Sequence, residues 1–217
     1  MRYTHIIWDF NGTIFDDVDA GIASVNKMLS DRGLPVISDK EEYRRIFKFP
    51  IISYYKDLGF DFEKEPYEVL APIWVELYNK NSEDSALQRD ALNALGYFKN
   101  LELGQVLLSA TERKMLLGQI EKLGIAEYFD EVLGLDDIHA YSKKDLALEW
   151  RAANPEARPL VIGDTEHDAD VAKAIGADCI LLCNGHQSRE TLQKCEGCVI
   201  CEDLFHAGMV FEIRNFR

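Results

Sequence analysis

The feature that most constrains the fold is an interruption. A short apolar run, Thr4-His5-Ile6-Ile7-Trp8, stops at Asp9 and then at Asn11-Gly12-Thr13, the pattern of a buried strand that leads into a loop. From Phe15 to about Asp84 the spacing becomes helical, as in Ile22, Val25, Met28 and Leu29, then Tyr67, Leu70, Ile73, Trp74 and Leu77. Beyond Ser85 short apolar runs return at 105–108, 131–133, 160–162, 179–182 and 198–200, separated by helix-length segments. Such alternation predicts an α/β fold with a parallel sheet and helices on both faces. A strand set ahead of a helical block therefore predicts a discontinuous Rossmann-like core, residues 1–14 and 85–217, interrupted by a helical cap at 15–84.

Charge narrows the partners. The 217 residues carry 24 Lys+Arg against 38 Asp+Glu, a formal net charge of −14. That balance offers no cationic surplus for a nucleic-acid backbone or an anionic membrane. No stretch approaches the ~18 uninterrupted apolar residues of a membrane span, and the opening apolar run is too short for a signal peptide. A cytoplasmic protein, monomer or homodimer, is expected. The five cysteines, Cys179, Cys183, Cys195, Cys198 and Cys201, all lie in the last quarter. Three of them read C-E-G-C-V-I-C, which could gather zinc or an iron–sulfur cluster. An apolar strand using cysteine as a small buried side chain is the simpler account, and no metal is assigned there.

In a doubly wound sheet the ligand crevice lies beyond the carboxyl ends of the strands. Polar clusters follow the predicted strands there: Asp9-Phe10-Asn11-Gly12-Thr13, Ser109-Ala110-Thr111, Ser142-Lys143-Lys144-Asp145 and Gly163-Asp164-Thr165-Glu166-His167-Asp168. Together they supply what aspartyl phosphoryl transfer needs. A carboxylate attacks phosphorus while a hard divalent cation shields the approaching like charges, tasks suited to Asp9 and Asp164. A hydroxyl with free backbone N–H groups and a lysine can hold the phosphoryl oxygens, tasks suited to Ser109 and Lys143.

These motifs, in this order, resemble the haloacid dehalogenase-like hydrolases, in particular the phosphatase branch with a small helical cap. Phe49-Pro50 and the segment from Tyr54 to Asp61 are similar to phosphoglycolate-phosphatase-type members. The resemblance covers nearly the whole chain. It implies a phosphatase acting on a small phosphorylated metabolite, with Asp9 as nucleophile and Mg2+ held by Asp9, the main-chain carbonyl of Asn11, and Asp164. Asp168 would act through a water or by orienting neighbours. Thr13, Ser109 and Ala110 would bind the phosphoryl group, with Lys143 bridging it to Asp9 and Lys144 as the alternative.

One position departs from the family. Asn11 stands where its phosphatases carry a second aspartate, which protonates the leaving group and later activates water. An amide does neither near neutral pH, while its carbonyl can still bind metal. Three readings follow: a phosphatase using another proton carrier, with Asp16, Asp17, His139 and His167 as candidates, or acting on activated substrates such as acyl phosphates; a phosphonatase-type enzyme using Lys48 or Lys56; or a catalytically weak phosphate-binding module. Arg44, Arg45 and Lys48 could select an anionic substrate, although exposed helix charges are usually solvated. His5, His186 and His206 show no partner pattern, and His167 is expected to be structural.

Overall fold

The computed structural model describes residues 2–135 and 142–215. Strand β1 (His5–Trp8) is followed by helices α1 (Val18–Asp31), α2 (Lys40–Ile46), α3 (Ile51–Asp57), α4 (Tyr67–Asn81) and α5 (Ala91–Asn100). Strands and helices then alternate: β2 (Gly104–Glu112), α6 (Arg113–Lys122), β3 (Glu131–Leu135), α7 (Lys143–Ala153), β4 (Pro159–Gly163), α8 (Glu166–Ile175), β5 (Asp178–Leu182), the short α9 (Arg189–Leu192), β6 (Cys198–Cys201) and α10 (Leu204–Asn215). The strands form one sheet in the order β3-β2-β1-β4-β5-β6, and every pairing is parallel.

Strand β1 organises this layout because it lies between β2 and β4, where the direction of winding reverses. Its residues are buried on both faces, as expected for a parallel sheet under two helical layers. Side chains alternate across the strand. Ile6 and Trp8 pack with Leu95, Phe98, Leu116 and Phe211 from α5, α6 and α10. Ile7 packs on the other face with Trp150, Val171 and Ile175 from α7 and α8. The Trp8 indole N–H donates to Gln105 Oε1 at 2.9 Å, and Gln105 Nε2 donates to the carbonyls of Leu95 and Tyr128 at 3.1 Å. A buried amide on β2 thereby fastens a central strand to the neighbouring layer with its polar atoms satisfied.

A third apolar cluster, separate from the two that flank the sheet, joins α1–α4 through Val25, Met28, Leu29, Tyr43, Tyr54, Tyr55 and Leu70. The chain enters and leaves these helices side by side. Asp16 N donates to Ala86 O at 2.9 Å and Gln88 N donates to Ile14 O at 2.8 Å. Helical structure begins only at Val18, because Phe10 O accepts from the backbone N–H groups of residues 13, 14 and 15 in a tight turn. Strand β2 outlasts its apolar run: after a register break, Glu112 pairs with Leu135, so the polar Ser109-Ala110-Thr111 lies within a strand whose ladder resumes. Among the described residues no helix is long and apolar enough to cross a membrane.

Replacing Gln105 with Met keeps the volume but strands the Trp8 N–H. Chemical denaturation should show a loss of about 1–3 kcal/mol; an unchanged midpoint would contradict the role given to this amide.

Candidate active site

The register of β1 on β4, Trp8 against Ile162, sets Asp9 and Asp164 side by side at the carboxyl edge of the sheet. Asp9 N donates to Ile162 O at 2.9 Å, which continues the ladder up to this carboxylate. The next turn needs a glycine: Gly12 has φ +75°, and a Cβ there would fall 2.3 Å from Asp164 Oδ2. Asp168 occupies the first turn of α8, where Oδ2 accepts from the backbone N–H of Asp164 (3.1 Å) and from the N–H and hydroxyl of Thr165 (3.0 and 2.8 Å). Its other oxygen accepts from Lys143 Nζ at 2.6 Å, and Lys143 also donates to Asp9 Oδ1. Ser142 starts α7 with a capping box to Asp145, which aims the first residue of that helix inward.

The charges here do not balance. Ligand oxygens of Asp9, Asp164 and Asp168 lie within 4.8 Å of one another, all three residues are buried, and Lys143 is the cation among them. Burial raises the Asp9 carboxyl well above its ordinary value, with Asp168 and Asp164 adding to the rise against the Lys143 charge. Burial likewise pushes Asp164 up to about 6. Burial would raise Asp168 too, but the Lys143 charge and the hydrogen bonds from Lys143 and Thr165 outweigh it and hold that carboxyl low. Burial disfavours the Lys143 charge, yet Asp168 and Asp9 raise its affinity for the proton. Surplus carboxylate in a closed space, made of hard oxygen donors, fits a hard divalent cation.

Asn11 is saturated. Its Nδ2 donates to Asp17 Oδ2 (2.9 Å) and to the Tyr78 hydroxyl (2.7 Å), while Oδ1 accepts from Thr111 Oγ1 (3.0 Å) and Ser109 Oγ (3.4 Å). Asp17 is equally engaged. It accepts from Gly12 N at 2.8 Å, from the Tyr78 hydroxyl at 2.5 Å and, across 3.1 Å, from His186 Nε2. Burial would raise its pKa, but the His186 charge and the bonds from His186, Tyr78 and Asn11 lower it. Burial opposes the charge on His186, and Asp17 overcomes it, pushing the imidazole up to about 9. His186 also bonds the Tyr43 hydroxyl through Nδ1 (2.8 Å), and its backbone N–H donates to Asp164 Oδ2 (2.6 Å). Tyr43 and Tyr78 belong to α2 and α4, so this network runs from the sheet edge into the helical layer.

Sequence reasoning gave His186 no role. It follows β5, and the strand-end rule that selected Asp9 and Asp164 also covers Cys183-Asn184-Gly185-His186. Other expected residues are distributed as follows. Thr13, expected at the phosphoryl group, is fully buried and donates its hydroxyl to Asp164 Oδ1 at 3.0 Å. Ser109 is buried beside Asn11, and Ala110 is exposed. Lys144 is exposed, so of the adjacent lysines it is Lys143 that reaches Asp9. Asp16 is exposed, His167 is half-buried with its ring 5.0 Å from that of Phe49, and His139 lies outside the described residues. Arg44 donates to the carbonyls of Asn184 (2.7 Å) and Gly185 (2.8 Å). Arg45 is exposed, Lys48 pairs with Asp57, and Lys56 lies over the Phe62 ring.

Residues 6–182, spanning both halves of the sheet and this cluster, match the family model described as haloacid dehalogenase-like hydrolase. The chain belongs to that family. Among relatives, phosphoglycolate phosphatase of Pseudomonas savastanoi pv. phaseolicola is 20% identical over 210 residues, 92% of this chain and 76% of that protein. Phosphoglycolate phosphatase 1 of Pseudomonas aeruginosa is 21% identical over 190 residues, covering 83% and 70% respectively. A haloacid dehalogenase-like hydrolase from Streptococcus pneumoniae has the same fold (TM-score 0.81, 18% identity, 97% and 99% coverage). So has protein tyrosine kinase A of Mycobacterium tuberculosis (TM-score 0.76, 17% identity, 95% and 97% coverage). At such identities the likeness is one of fold alone.

Within this haloacid dehalogenase-like fold the Asp17–His186 pair is buried, so removing one partner strands the other. His186→Phe should lower stability by about 3–5 kcal/mol, read by chemical denaturation, and adding Asp17→Asn should recover part of that loss. Equal stability of wild type and His186→Phe would show that the pair carries no structural weight.

Proposed function

We propose that this hydrolase is a magnesium-dependent phosphatase of small phosphorylated metabolites that works through an aspartyl-phosphate on Asp9. The observation that carries the reading is the placement of the buried Asp9 against Lys143 and beside Asp164 at the point where the sheet reverses its winding. The named relatives, phosphoglycolate phosphatases, support a small phosphate-bearing molecule as the substrate class. Asp9, the carbonyl of Asn11 and Asp164 would hold the cation, with Asp168 holding Lys143 and the start of α8 in place. Bound there, the metal ion would shield the negative charges of carboxylate and phosphoryl group as they meet.

In the first step an Asp9 carboxylate oxygen bonds to phosphorus and the ester oxygen leaves with its electron pair. Water then attacks the acyl phosphate, restoring the Asp9 carboxylate and releasing inorganic phosphate. Lys143 neutralises charge beside Asp9, while Ser109 and the backbone following it would hold phosphoryl oxygens. Asn11 carries no exchangeable acid proton, so the leaving group departs without general acid help from this position. That help is typically worth about 10²–10⁴-fold. Substrates whose leaving groups need no protonation, acyl and aryl phosphates, therefore suit this site best. The carboxylate nearest the missing acid is Asp17, and it is already committed to Asn11, Tyr78, Gly12 and His186.

The reading is tested with a panel of aryl, acyl and alkyl phosphates and phosphonates, with and without magnesium, using Asp9→Asn as the blank. Magnesium-dependent release of phosphate that disappears in Asp9→Asn is expected, with aryl and acyl phosphates ahead of alkyl esters. A folded wild-type enzyme inert to the whole panel would favour the phosphate-binding module instead.

The Asn11 network yields a sharper outcome. Asn11→Asp alone sets a carboxylate against that of Asp17 and should destabilise the protein with little gain in rate. The exchange Asn11→Asp with Asp17→Asn removes that repulsion but gives up the Asp17–His186 pair; in the fraction shown folded by circular dichroism it should speed alkyl phosphate turnover by about 10²-fold, the lower end of general acid–base effects. No gain in the double variant would show that position 11 does not limit the reaction.

A further inference from the structure

The cysteine-rich end of the chain takes no part in the acidic site. Cys179 in β5 and Cys198 in β6 are paired residues of neighbouring parallel strands, so their side chains leave the sheet on the same face, where both pack in one apolar cluster. Adjacent strands run about 4.8 Å apart, inside the roughly 4.4–6.8 Å between Cα atoms that a disulfide spans. Among the described residues the group of three close metal-ligating side chains is the acidic one, Asp9, Asp164 and Asp168. We propose that Cys179 and Cys198 are an oxidisable dithiol that reacts with low-molecular-weight disulfides and closes to an intramolecular disulfide.

Position in the sheet supports the pair. Cys198 is partly exposed and Cys179 is buried, which makes Cys198 the thiol an incoming disulfide meets and Cys179 the one that resolves the product. Strand β6 has four residues and lies at the edge of the sheet, bonded on one side only. Cys198 opens it directly after Gly197 at φ +81°. The strand end can therefore draw toward β5 without disturbing a second partner. The neighbouring thiol raises Cys179 and lowers Cys198, with burial adding to the rise at Cys179, and a thiolate is the attacking form. In the first step the Cys198 thiolate attacks one sulfur of the small disulfide, giving a mixed disulfide and one small thiolate. Cys179 then loses its proton and attacks the Cys198 sulfur, expelling the second small thiol. Two protein thiols are oxidised by two electrons and one small disulfide is reduced to two thiols.

The experiment treats the intact native protein with excess glutathione disulfide, counts free thiols after denaturation, and maps tryptic peptides without reduction. The expected result is loss of two of the five thiols, with peptide 174–189 joined to peptide 195–214 and fragmentation placing the bridge between Cys179 and Cys198. Cys195→Ser should leave this outcome unchanged, whereas Cys198→Ser should abolish the bridge. Retention of all five thiols, a lasting mixed disulfide in the wild type, or a bridge between Cys195 and Cys198 or between Cys183 and Cys201 would each overturn the proposal. The wild-type map decides the matter even if a variant fails to fold.

Discussion

The site is governed by an electrostatic imbalance that the fold holds in place. Three carboxylates are buried around one ammonium group at the end of β1 and β4. Isolated buried carboxylates would take up protons rather than stay charged. Here the demand falls unequally: Asp168 has Lys143 and three donors at the start of α8, whereas Asp9 shares Lys143 and Asp164 has the neutral donors Thr13 and the His186 backbone N–H, too few to offset burial at either. That division separates one carboxylate held low from two raised by burial, although all three have the same chemistry in solution. The parallel register of the central strands then brings the raised two together.

A second polar system lies against the first and is built on the opposite logic. Around Asn11, Asp17, Tyr78, His186 and Tyr43 the donors and acceptors are matched, with one buried carboxylate balanced by one imidazolium. Such a network rigidifies because breaking any member leaves another unsatisfied in a dry interior. It also accounts for an amide at position 11: next to Asp17 the amide donates a hydrogen bond, and a second carboxylate could not.

Much of the architecture was legible because parallel strands buried on both faces must be continuously apolar and short. All the predicted strands occur, and the helical interval contains four helices in its own apolar cluster. The strand-end rule also selected Asp9, Ser109 and Asp164, with Lys143 at the start of α7, and the fold brings Asp9, Asp164 and Lys143 together. What escaped was fixed by long-range pairing. The end of β2 ran on because its ladder resumed at Leu135. His186 had no local pattern, since its partners lie 169 and 143 residues away in sequence. The bond from the Thr13 hydroxyl to a carboxylate just past β4 spans 151 residues of sequence and had no local signal. Asp17 looked like one of several spare acids until its position against Gly12 and Asn11 was visible.

The seam between α2 and the loop after β5 is made largely of main-chain atoms. Arg44 grips the carbonyls of Asn184 and Gly185, Ser188 N donates to Arg44 O at 3.0 Å, and Gln187 Nε2 donates to Phe47 O at 3.3 Å. Backbone groups are the same whatever side chain they carry. The Arg44 grip itself is indifferent to side chains, but a Cβ at residue 185 would fall 2.2 Å from Asp164 Oδ2, and His186 and Gln187 are held through their own side chains. Natural variation should therefore preserve both the length of this loop, which keeps its carbonyls in phase with Arg44, and the residues Gly185, His186 and Gln187.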